Sequence, residues 1–200
     1  MKLLNVDGCD GTGKSTLVNG LINHYTNLGK KITFLHFPRY DTEIGKVIKK
    51  VMYKEIEMHP SALQMLYSSD RLNWYTYEFP KLKEEFDIVI VDRYLTSGMV
   101  YGAVDGLDPQ EILFNDRRTA KPDANIILVA DVETSLKRMA IRNEIATLYE
   151  NALNIETATN NYRNLINLIP NVYYIDATKS IEDNLTDALI IIDRLGDENE

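Results

Sequence analysis

Eight consecutive residues near the start of the chain, Gly8-Cys9-Asp10-Gly11-Thr12-Gly13-Lys14-Ser15, have the types and spacing of a loop that cradles phosphate. Two glycines bracket four residues, and a lysine and a hydroxyl side chain follow. Glycines let successive backbone N–H groups converge on phosphate oxygens, and the N-terminus of the following helix adds partial positive charge. Lys14 can reach β- and γ-phosphates, and the Ser15 hydroxyl can hold Mg²⁺. The flanks fit: 2–6 is apolar enough for a short buried strand, and from Thr16 onward apolar residues recur at helical spacing. The alternative is a glycine turn before an ordinary helix. The motif in its context implies a nucleoside triphosphate site.

Such a loop needs a sheet to carry it. Apolar runs at 32–37, 87–91, 124–130 and 172–175 read as further strands, with helical patterns at 14–27, 43–51, 61–77, 109–117, 132–141, 156–168 and 181–195. Alternating β and α with continuously apolar strands predicts a parallel sheet covered on both faces, an α/β fold of a single domain spanning 1–200. In such a sheet ligands sit beyond the carboxyl ends of the strands. The second strand runs into Phe37-Pro38-Arg39-Tyr40, the third into Asp92-Arg93-Tyr94, and the fifth into Asp176-Ala177-Thr178-Lys179. Two arginines at that edge suit a second phosphate, because a planar guanidinium binds phosphate bidentately. Asp92 could bind Mg²⁺, accept a hydroxyl proton, or cap a helix.

Composition sets outer bounds. The 200 residues are 44% hydrophobic and 26% charged, as in a soluble globular protein. The net charge of −8 argues against nucleic acid or an anionic membrane as partner. No apolar run approaches a membrane span and no signal-peptide pattern precedes the loop. Cys9 is the single cysteine, which excludes an internal disulfide. A cytoplasmic location is the expectation.

Taken together these segments resemble the thymidylate kinase family, over nearly the whole chain. The phosphate loop from Asp7 to Thr16, Phe37-Pro38-Arg39, and Asp92-Arg93-Tyr94 followed by Ser97-Gly98 are similar to its motifs, in family order. Leu66-Tyr67-Ser68-Ser69-Asp70-Arg71, Lys121-Pro122-Asp123 and Ile175-Asp176-Ala177-Thr178-Lys179-Ser180 extend the match. The resemblance implies a P-loop NTPase-type three-layer α/β/α fold with five parallel strands and a short mobile lid at about 142–152. It also implies Mg²⁺-dependent transfer of phosphate from ATP to dTMP, by a homodimer. By position, Arg39 and Arg93 would hold the monophosphate, with Phe37 and Pro38 beside it. Tyr67 would stack on thymine and Arg71 would bond a base carbonyl. Asp10 would meet the sugar 3′-OH, Tyr101 would crowd C2′, Ser97, Gly98 and the lid residue Tyr149 would complete the acceptor site, and Thr178 and Lys179 would line adenine. Some relatives carry an arginine in the loop after the aspartate; here that position is Gly11, so Arg142 in the lid, assisted by Arg138 one turn earlier, is expected to supply the catalytic cation. The competing expectations are a kinase for another deoxynucleotide or a deoxynucleoside, and a non-catalytic nucleotide switch.

Overall fold

The structure is a computed structural model, and it describes residues 1–142 and 152–197. Among the described residues five strands form one sheet: β1 (Lys2–Gly8), β2 (Ile32–His36), β3 (Ile88–Asp92), β4 (Ala124–Val129) and β5 (Val172–Asp176). Every pairing is parallel, in the order β2-β3-β1-β4-β5. Helices α1 (Lys14–Asn27), α2 (Glu43–Met52), α3 (Pro60–Tyr77), α4 (Phe79–Glu85) and α5 (Leu95–Val104) belong to the first part of the chain. They are followed by α6 (Pro109–Asn115), α7 (Val132–Arg142), α8 (Ala152–Asn164) and α9 (Ile181–Asp197).

The sheet is covered on both faces, as the continuously apolar strands predict. Leu4, Val6, Ile90, Ile126 and Ile175 pack under Leu17, Leu21 and Tyr25 of α1 and Ala188 and Ile192 of α9. Residues of alternate parity, Leu3, Val89, Val91 and Ile127, face Trp74 of α3, Leu95 and Met99 of α5 and Tyr162 of α8. Side chains one apart on a strand point to opposite faces, so each strand feeds two cores. A smaller cluster ties Ile48 and Val51 of α2 to Leu63 of α3.

Two helices, α4 and α5, are absent from the sequence reading, which also places the helix before β5 at 156–168. That segment is instead α8, beginning at Ala152, with a separate 3-10 turn at Leu165–Asn167. β1 is central, and the chain visits β2 and β3 on one side of it before crossing to β4 and β5. The direction of winding therefore reverses at the carboxyl end of β1, where α/β sheets open a crevice. Register brings the crevice residues level: Val6 pairs with Asp92, His36 with Asp92, and Gly8 with Leu128.

Candidate active site

The loop leaving β1 is held by its own backbone and by a buried carboxylate. Gly8 has φ +142°, and a Cβ there would lie 2.4 Å from the Leu128 carbonyl oxygen, so only glycine permits this exit. Beneath it, Asp7 is fully buried and accepts hydrogen bonds from Thr96 Oγ1, from Ser97 Oγ at 2.8 Å, from Tyr162 Oη at 2.8 Å and from the Gly8 N–H at 2.9 Å. Strand β1 is thereby pinned to α5 and α8. The Lys14 ammonium curls over the loop, donating to the carbonyls of Gly8 at 2.9 Å and Cys9 at 3.0 Å, with Asp10 3.7 Å away. The Cys9 thiol is buried, and burial pushes its pKa up despite the Thr159 contact.

Two cavities open on opposite sides of this loop. Adjacent loop residues divide them: Asp10 lines one and Gly11 the other. The first, about 640 Å³ with its mouth, lies under the ends of β2 and β3 and is bounded by α3 and α5. Phe37, Pro38, Tyr67, Arg71, Arg93, Ser97, Gly98 and Tyr101, all expected at an acceptor site, line it, as do His36, Tyr40, Met52 and Gln64. The second, about 920 Å³, runs between α1 and the β5–α9 connection; Gly11, Thr12, Gly13, Thr16, Arg138 and Lys179 line it.

Charge in the first cavity is concentrated on Arg93. Its guanidinium is ion-paired with Asp10 and lies 5.9 Å over the Tyr101 ring. Burial opposes its charge, yet the carboxylate of Asp10 holds its pKa well above the usual value. Tyr101 is held protonated by burial, a pull that Arg93 only partly offsets. At the far end of the cavity Arg71, 1% exposed, donates to both oxygens of Asp116 at 2.7 Å from Nε and Nη2. Tyr67 donates to the Met52 sulfur at 3.1 Å, leaving its ring against the cavity.

Asp92 lies between loop and cavity. Burial raises its pKa, but the His36 hydrogen bond at 3.1 Å and the charges of Lys14 and Arg93 outweigh this and hold it below the ordinary carboxylate range. Its Oδ1 is buried with no hydrogen-bond partner among the described residues. An ionised carboxylate oxygen without a protein partner suits Mg²⁺, which takes few protein ligands and many from phosphate, and the Ser15 side chain at the start of α1 is exposed to a ligand.

Two expected residues, Arg39 and Thr178, line other grooves. Arg39 does not face the cavity with Arg93: its fork donates to Asp70 Oδ1 at 3.0 and 2.9 Å and to Glu78, and it lines a separate groove with Leu35 and Thr42. A carboxylate from α3 claims the guanidinium before any ligand arrives. Thr178 turns to Asp176 and lines the groove beside Asp131, while its neighbour Lys179 faces the second cavity and pairs with Asp187 at 2.8 Å. The Ser97 hydroxyl bonds Asp7, so Ser97 touches the cavity while supporting the loop. Arg138 lines the second cavity, donating to the Ala177 carbonyl at 2.9 Å and lying 3.5 Å from that of Gly11. Arg142 ends α7 with its side chain outside the described residues, as are Tyr149 and most of the expected lid. Sequence reasoning gave no role to Asp7, Tyr162 or His36, although Asp7 opens the matched loop motif.

Comparison with known proteins agrees with this geometry. The family model for thymidylate kinase matches residues 6–188. The probable thymidylate kinase 1 of Saccharolobus solfataricus is 30% identical over 196 residues, covering 96% of this chain and 97% of the relative. The human thymidylate kinase is 30% identical over 185 residues, covering 90% and 84%. The solved structure of the Candida albicans thymidylate kinase superposes with a TM-score of 0.76 at 21% identity, covering 96% of this chain and 91% of that one, a likeness of fold. A phosphate loop between two cavities and a family match across nearly its whole length place this chain in the thymidylate kinase family.

Proposed function

We propose that the chain transfers the γ-phosphoryl group of ATP to the phosphate of dTMP, giving ADP and dTDP. The observation that carries this reading is the pair of cavities meeting at one phosphate loop, with neighbouring residues Asp10 and Gly11 facing different ones. A hydrolytic switch needs one nucleotide site; a phosphotransferase needs two, joined where the phosphoryl group moves.

In this reading ATP occupies the second cavity, its phosphates on the loop from Gly8 to Thr16 and its adenine near Lys179. Lys14 exchanges its contacts with loop carbonyls for the β- and γ-phosphates. dTMP occupies the first cavity with its phosphate at Arg93, its sugar between Asp10 and Tyr101, and its base between Tyr67 and α5. One phosphate oxygen of dTMP forms a bond to the γ-phosphorus as the bond to the β–γ bridging oxygen breaks, and ADP leaves with that electron pair. Phosphoryl transfer asks the protein mainly for alignment and charge neutralisation. Lys14, Arg93, Arg138 and Arg142 are the cations that serve it. Ser15 and Asp92 would hold Mg²⁺, which neutralises charge on the β- and γ-phosphates when bound. The proposal includes a homodimer and a cytoplasmic setting; among the described residues no helix is long and apolar enough to cross a membrane.

A coupled assay with ATP across thymidine and all the deoxynucleoside monophosphates tests the reading. The expected result is highest kcat/KM on dTMP. Faster turnover of thymidine, or slow ATP hydrolysis with no phosphate transfer, would replace it with a nucleoside kinase or a switch.

A further inference from the structure

One side chain in the acceptor cavity is chemically unaccounted for. Gln64 lies on α3, two turns before Arg71 on the same face of the helix. It is 1% exposed and lines the cavity. Among the described residues, neither its amide nitrogen nor its carbonyl oxygen has a hydrogen-bond partner. Buried polar groups are nearly always paired, and an unpaired amide opposes folding, so a carboxamide with no protein partner at either atom points to a partner that arrives from outside.

The surroundings define where that partner sits. Gly98 and Gly102 of α5 present bare backbone to Gln64. A Cβ on Gly98 would lie 3.5 Å from Gln64 Oε1 and 3.2 Å from Arg71 Nη2, and a Cβ on Gly102 would lie 3.6 Å from Gln64 Cδ. The amide and the guanidinium therefore flank one narrow space against α5. Arg71 is held there by Asp116, so its position does not adjust to the ligand.

Taking the first cavity as the dTMP site, we infer that the Gln64 carboxamide reads the N3 edge of the acceptor base. That edge of thymine carries an N–H donor between two carbonyl acceptors. A carboxamide carries an acceptor and a donor side by side, and so matches one N–H and one carbonyl at once. Arg71 only donates, and selects a carbonyl. The pair divides the reading of the base: a fixed donor rejects an amino group at position 4, and a rotatable amide holds N3. Cytosine could satisfy Gln64 by rotation of the amide, but not Arg71.

Gln64→Met tests this, since it keeps length and removes both polar atoms. Thermal unfolding without ligand and steady-state kinetics on dTMP and N3-methyl-dTMP are the readouts. The variant should melt at or above the wild-type temperature, because a buried unpaired amide has gone, while its KM for dTMP rises by about three- to tenfold at near-constant kcat. Wild type should disfavour the N3-methyl compound by at least about fivefold, and the variant should lose most of that preference. An unchanged KM for dTMP, an equal N3-methyl penalty in both proteins, or a lowered melting temperature with unchanged KM would overturn the inference, the last by making Gln64 a packing residue. Gln64→Glu keeps the shape but loses the donor, and should also raise the KM for dTMP; an unchanged KM there counts against the inference even if the methionine variant does not fold. Failure of the dTMP assignment itself would look different, because wild type would not turn over dTMP.

Discussion

Asp92 is withdrawn from water by burial, and yet its carboxyl stays below the usual range because His36 bonds it and Lys14 and Arg93 lie near. A carboxyl whose pKa is depressed by folding adds stability above its unfolded value, and that contribution is lost as pH falls through the folded one. In metal-free protein the stability gap between wild type and Asp92→Asn should therefore be full at neutral pH and close below about pH 4. Urea unfolding of both proteins across that range measures it, and a gap independent of pH would show that the neighbours do not hold Asp92 ionised. At this scale the sequence was a partial guide. Arg39 and Arg93 have equal credentials, each just past a strand end, and nothing local distinguishes them. The difference is Asp70, which lies 31 positions from Arg39 and reaches it only through the packing of α3. Gln64 was hidden for a related reason: a glutamine on a helix reads as solvent-facing until its burial is seen.

Among the elements, the sequence missed the short α4 and also α5, which has no wet face to set a pattern. Leu95 to Val100 are all buried, and Thr96, Ser97, Gly98, Val100 and Gly102 are weak helix formers. The helix exists because α3, α6 and α8 enclose it, and its glycines admit the Arg71 and Gln64 side chains. Gly98→Ala should gain about 1 kcal/mol of intrinsic helix propensity. Its Cβ would meet Arg71 Nη2 and Ile112 Cγ2 at 3.2 Å, however, and Asp116 keeps Arg71 from retreating. The expected outcome is a KM for dTMP raised by about tenfold or more with that for ATP little changed, since one crowded contact is worth about 1–3 kcal/mol. Equal effects on both substrates would place the damage in the loop. Gly11 teaches the same lesson at α7. From the sequence alone an arginine there, as in some relatives, would be a plausible substitute for Arg142. In the structure Gly11 has φ +80° and its Cβ would fall 2.4 Å from the Ser135 carbonyl oxygen. Helix α7 sits directly on the loop, so Gly11→Arg should lower the melting temperature and fail to restore an Arg142→Ala enzyme. Restored turnover would show that α7 can move off the loop without penalty.

For the molecule as a whole, α3 joins the acceptor cavity to the outer surface. Gln64, Tyr67 and Arg71 face inward, while Met65 on the same helix is 56% exposed and Tyr77 at its end is 70% exposed. Large apolar side chains left open on a helix whose other faces are already packed suit a second protein surface. In the proposed homodimer that surface is a second copy of α3, which would back the helix that carries the base-reading residues. Sedimentation at micromolar concentration should then show twice the chain mass of 22.9 kDa. Met65→Glu should shift the population toward monomer, because a charge buried at an apolar contact is strongly disfavoured. If the partner steadies α3, dissociation should also raise the KM for dTMP while sparing the KM for ATP, whose cavity lies across the loop. Wild-type protein found only as a 22.9 kDa species would remove the dimer. A monomeric Met65→Glu protein with an unaltered KM for dTMP would keep the dimer but sever it from the acceptor site.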